Sequence, residues 1–142
     1  MTFLWKKSLL IIFCFFSVII LDVIWFNFLG NIYEAAYEPI KSEFNTELTS
    51  DLLVASLSIY LLIALAIVFF VLPRVNHLDN TQTFFWGGFL GLLVYGVYDL
   101  TNYVIFAKWP LRIALMDICW GFLIFGLTTL GARLIMRLMD RR

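Results

Sequence analysis

Four uninterrupted apolar runs, at about residues 9–29, 52–72, 84–106 and 111–135, fill most of this chain. Each is as long as the roughly 20 helical residues needed to cross a bilayer core. Lipid offers no partner for a backbone N–H or C=O, so a spanning segment must satisfy its own backbone groups. Runs that show no strand alternation do this as helices. The chain is therefore read as all-α, an integral membrane four-helix bundle, with residues 1–142 as one domain. A composition that is 63% hydrophobic and 14% charged, with a mean hydropathy of +0.94, agrees.

The loops orient the bundle. With the N-terminus inside, the inner side collects Lys6, Lys7, Arg74, Arg133, Arg137, Arg141 and Arg142, and the outer side only Lys41, Lys108 and Arg112. This bias places both termini in the cytoplasm. Lys6-Lys7 before an apolar run is also how a signal peptide begins, but no small-residue cleavage site follows, so the first run is read as a retained span. Pro73 closes the second run, because proline cannot continue a helix. Pro110 suits the first turn of the fourth, with Trp109 at the outer interface and "RLIMRLMDRR" anchored at the inner headgroups. The segment 31–51 has two readings: an amphipathic helix lying on the outer surface, or an extension of the first span that frays at Pro39.

Zero formal net charge excludes a nucleic-acid surface. The two cysteines, Cys14 and Cys119, lie inside spans as packing residues, and His77 sits on a polar loop, so no metal site or cofactor is expected. Gly87 and Gly91, four residues apart, allow another helix to approach the third span closely.

The informative residues are the polar ones inside the spans. A charged group at mid-span costs about 2.5–3.5 kcal/mol even on lenient insertion scales, and such residues mark functional sites by default. "LDVIWFNF" carries Asp22, Trp25 and Asn27; "VYGVYDLTN" carries Tyr95, Asp99 and Asn102 along one helical stripe; "MDICWGF" carries Asp117 and Trp120; the second span contributes Tyr60. Counted inward from the outer ends, the three aspartates and Tyr60 reach about the same depth, roughly 12 Å at 1.5 Å per residue. A polar chamber is predicted there, with the three aspartates at one level and the two indoles bracketing them. Arg112 either leans in to pair with Asp117 or snorkels outward.

The ordered set "LDVIWFNFLGNIYEAAY", "VYDLTNYVIFAKWP" and "DICWGF" resembles the bacterial membrane-protein family catalogued as domain of unknown function 2177. The resemblance covers essentially the whole chain. It implies a small multi-pass protein of the bacterial inner membrane. Members of that family are encoded near lipid-modifying enzymes, an association that turns the expectation towards membrane lipid.

Three functions fit these residues. The first is binding or modifying a lipid or another amphipathic small molecule, with Asp22, Trp25, Asn27, Tyr60, Tyr95, Asp99, Asn102, Asp117 and Trp120 as ligand-binding residues. The second is a proton- or cation-coupled transporter, which with only four spans would act as a homodimer. The third is a structural subunit that docks another membrane protein.

Overall fold

The computed structural model describes residues 2–140, with side chains from Leu4 onwards. Arg141 and Arg142 of the expected basic anchor lie outside the described residues. Four helices long and apolar enough to cross a membrane make up the fold, and no strand occurs among the described residues. They are α1 (Thr2–Tyr37), α2 (Ser50–Val75), α3 (Asn80–Ile105) and α4 (Leu111–Asp140). The two chain ends lie at the same end of the bundle, where Lys6 Nζ pairs with Asp140 Oδ1 at 2.6 Å. We call this the terminal end, and the opposite one, bearing the 44–49 and 106–110 loops, the far end.

Residues spaced by one turn form the buried seams. On α1 the buried set is Leu10, Cys14, Val18 and Asp22. On α3 the stripe Thr83, Gly87, Gly91 and Asp99 is buried, with half-buried Tyr95 continuing it at the same four-residue interval. The fourth span is the central helix. Its buried pairs recur every turn, from Ile113 and Ala114 through Trp120 and Gly121, Ile124 and Phe125, Thr128 and Thr129 to Ala132 and Arg133. A stripe two residues wide touches neighbours on two sides. α4 accordingly packs along both α1 and α3, which do not meet each other.

The α3–α4 seam is built on glycine. A methyl group on Gly91 would collide with the Gly121 carbonyl oxygen, and one on Gly87 with the Thr129 side chain and the Phe125 carbonyl oxygen. The expected close approach at Gly87 and Gly91 is thus present, and its partner is the fourth span.

α2 departs from expectation at Pro73. The helix does not stop there; it widens by one residue over Ile67–Val71 and runs on to Val75. Proline has no N–H and its ring clashes with the carbonyl four residues back, here that of Phe69. The wide turn, closed by the Leu72 N–H on the Ile67 carbonyl, absorbs that clash. The Arg74 guanidinium donates to the neighbouring Phe70 carbonyl at 2.5 Å.

Below the wide turn α2 reaches both α3 and α4. Above it, no Cα of residues 50–66 comes within 8 Å of the third or fourth span, though Tyr60, Ile63 and Ala64 still join the common core through their side chains. Leu53, Val54, Leu57, Ile59, Leu61 and Leu62 are consequently exposed on the protein surface. The bundle is closed at its terminal end and open on one side at its far end.

The 31–51 segment starts as an unbroken continuation of α1 to Tyr37. A 3₁₀ turn over Glu38–Glu43 follows, with Pro39 in its opening positions. Tyr33 and Ile40 are buried, so this extension covers the far end of the bundle.

Gly91→Val forces the Gly121 backbone away and is expected to cost roughly 1–3 kcal/mol, the usual penalty for overpacking. Gly96→Ala, where an added methyl meets nothing, is expected to leave the melting temperature in detergent unchanged or slightly raised. Thermal unfolding of both variants checks the seam.

Candidate functional site

The core stripe of α1 ends in a carboxylate because Asp22 follows Leu10, Cys14 and Val18 by single turns. The fourth span faces it with Trp120, whose indole N–H donates to Asp22 Oδ1 at 2.7 Å. An indole has only this one donor, and a carboxylate only acceptors, so each meets the other's need. The second Asp–Trp pair completes the exchange. Trp25 donates to the Tyr33 hydroxyl at 2.8 Å, and Tyr33 in turn donates to Asp117 Oδ1 at 2.5 Å. The two indoles lie face to face between the acids, centroids 4.3 Å apart and planes within 12°. Each tryptophan therefore serves the aspartate of the other motif, one directly and one through a tyrosine.

The two acids are not bonded to each other: Asp22 is bound by Trp120, a turn from Asp117 on the fourth span, while Asp117 is bound by Tyr33, eleven positions beyond Asp22 on the first. The stacked indoles join the two. Arg112 does not lean in; it is exposed.

The remaining predicted residues divide into two groups. Tyr60 and Asn27 join Asp22, Val23 and Phe26 around an open pocket of about 330 Å³ on the seam between α1 and α2. The Tyr60 hydroxyl lies beside the Asp22 carboxylate. Asn27 is exposed and spends its amide N–H on the Val23 carbonyl of its own helix, at 2.7 Å. Tyr95 stands close enough to Asp22 and Tyr60 to sense both, and packs edge-on against Phe125 and over Gly121.

The second group sits at the far end. Asp99 is fully buried, and no hydrogen bond from the described residues reaches either of its oxygens. The Asn102 amide, one turn on, and the Trp109 indole N–H are likewise buried and unbonded. Trp109, expected at the outer interface, lies half-buried in the far-end loop. It folds back over the end of the bundle against Tyr37, Tyr98 and Phe106, at 5.4, 6.5 and 5.8 Å between centroids. Asp99 and Asp117 lie near each other, and Tyr37 lies near both.

Two members of this assembly were missed in the sequence, Tyr33 and Tyr37. The available signal was helical continuity: Tyr33 follows Trp25 by eight positions and Asp22 by eleven, which returns it to the same face. Both lie in the 31–51 segment, which was weighed as a surface helix or an extension of the first span but not as part of the polar layer. Among the described residues no group of three His, Cys, Asp or Glu side chains converges as a metal site would require.

Helices of this length and composition, joined by acid–indole–phenol hydrogen bonds, define a four-span membrane protein with a polar–aromatic cluster inside its helical core. The chain belongs to the family described as "Predicted membrane protein (DUF2177)", whose model matches residues 7–134 and so contains the whole cluster. No curated protein and no solved structure matches the chain.

Tyr33→Phe removes a donor and an acceptor at once, stranding the Trp25 N–H and the Asp117 oxygen. Each stranded buried group costs about 1–3 kcal/mol, so a clear loss of stability in detergent unfolding is expected. Tyr37→Phe, next to it and without such a hydrogen bond, is expected to unfold close to the wild type.

Proposed function

We propose that this protein binds a lipid or a similarly amphipathic small molecule, which enters sideways from the membrane and presents its polar group to Asp22. The observation that carries this reading is the splayed far half of α2. On the α1–α2 seam beside it lies the open pocket lined by Asp22, Val23, Phe26, Asn27 and Tyr60. Apolar walls around a few fixed polar groups are the usual make-up of a small-molecule site. Trp120 occupies one Asp22 oxygen and holds the carboxylate in place, so the side chain is oriented before a ligand arrives.

The ligand chemistry follows from the partners on offer. Asp22 and Tyr60 can accept hydrogen bonds from a hydroxyl, amine or amide, and the exposed faces of Phe26 and Val23 receive hydrocarbon. The site lies within the apolar part of α1, which makes Asp22 an intramembrane acid. The excess of Lys and Arg at the terminal end supports an orientation with both termini in the cytoplasm, and a bacterial inner membrane is the setting in which we read the site.

Purification in a mild detergent followed by mass spectrometry of the retained lipids tests this reading. The wild type is expected to keep one lipid class in excess over the bulk membrane, and Asp22→Asn and Tyr60→Phe to lose that excess while staying folded. Identical lipid profiles for folded wild type and variants would overturn it.

A further inference from the structure

At the terminal end, far from the acids, α4 carries a different anomaly. Arg133 was expected among the headgroup-anchoring residues of the C-terminal tail; it is instead fully buried in the α4 stripe, next to Ala132. Its Nη1 donates to the Asn80 amide oxygen at 2.8 Å, while Nε and Nη2 have no partner among the described residues. Arginine does not give up its proton, so the group remains a cation. A buried cation hydrogen-bonded only to a neutral amide, with a carboxylate near it but not bonded to it, is an arrangement that proteins usually avoid by direct pairing.

Among the described residues no carboxylate is hydrogen-bonded to Arg133. Asp79 is the nearest carboxylate, and the capping box of α3 engages it: its side chain accepts from the Gln82 N–H at 2.8 Å, and its own N–H goes to the Gln82 side chain. Asp140 is paired with Lys6. The second cation beside Arg133 is Arg137, exposed, with its Nη2 on the Leu78 carbonyl at 3.4 Å. Capping leaves the Asp79 charge in place, so two arginines share the one carboxylate near them.

Asn80, which holds Arg133, is the first residue of the 26-residue α3. The cap uses the N–H groups of Gln82 and Thr83, and those of Asn80 and Thr81 point out of the helix end without a bond from the described residues. A helix N-terminus carries partial positive charge and open N–H donors, the arrangement that binds phosphate. Here a buried, unpaired guanidinium is aimed at it.

We propose that Arg133, Arg137 and the first turn of α3 form a binding site for a phosphate group, delivered at this depth by an anionic phospholipid of the adjoining leaflet. Asn80 is exposed, and its side chain is the piece that yields: a phosphate oxygen takes its place on Arg133 Nη1 and meets the N–H groups of Asn80 and Thr81. Arg137 turns from the Leu78 carbonyl to the same phosphate. The site is independent of the Asp22 pocket, at the other part of the bundle.

The test is thermal unfolding of the full-length protein in a neutral detergent. Phosphatidylglycerol, phosphatidylcholine and inorganic phosphate are added separately to wild type, Arg137→Gln and Asn80→Asp. Ligand that binds only the folded state raises the melting temperature. Phosphatidylglycerol is expected to raise that of the wild type by several degrees, phosphatidylcholine much less, and Arg137→Gln to lose most of the shift. Asn80→Asp places a built-in anion on Arg133; it is expected to melt higher than the wild type without lipid and to gain little from phosphatidylglycerol. A shift from inorganic phosphate that disappears in the same variants would keep the phosphate site and identify soluble phosphate as its source. Equal shifts in wild type and both variants, or no shift with either phosphate source, would overturn the proposal.

Discussion

The stacked indoles of Trp25 and Trp120 are the interaction on which the rest of the far half depends. A polar group placed between apolar helices must find a partner inside the protein, and here two carboxylates, two indole N–H groups and a phenol settle that need among themselves. The stack makes the exchange possible, because it brings each indole alongside the other helix. Offset aromatic stacking adds roughly 0.5–1.5 kcal/mol beyond the area it buries. Larger is the cost it prevents, since an unbonded buried donor or acceptor forfeits about 1–3 kcal/mol.

The glycine seam and the polar exchange are linked through the fourth span. Gly121 follows Trp120 directly: one residue meets the third helix at Gly91 while the other reaches back to Asp22 on the first. With α4 fixed on both sides, the far half of α2 has its backbone near α1 alone. That asymmetry is what opens the Asp22 pocket sideways, and it comes from which stripes are apolar, small or polar. At the closed end the wide turn ahead of Pro73 does the opposite, keeping α2 long enough to seal the bundle beneath the pocket.

Much of this was legible in the sequence. Four long apolar runs admit only helices, and Asp22, Asp99, Asp117, Trp25 and Trp120 stand out because polar groups inside such runs are costly. The Tyr95–Asp99 stripe and the close approach at Gly87 and Gly91 follow from the helical repeat. What could not be read was the vertical register between antiparallel helices. Each motif places its tryptophan one turn from its own aspartate, but which acid that indole serves depends on how far one helix slides along another, and distant contacts such as Lys6 with Asp140 take part in setting that. Arg133 was misjudged for a related reason: a long cation near a helix end usually snorkels to water, and only the neighbouring start of α3 shows that this one is enclosed.

Double-mutant cycles on the two motifs test the swapped pairing most directly. Unfolding free energies are needed for Asp22→Leu, Trp120→Phe and Trp25→Phe, alone and in pairs. A coupling of about 1.5–3 kcal/mol between Asp22 and Trp120, the range for a hydrogen bond to a charged group, is the predicted result. The coupling between Asp22 and Trp25, neighbours within one motif, is predicted to be much smaller. Coupling concentrated within the motif, or additivity in both pairs, would contradict the exchange of partners.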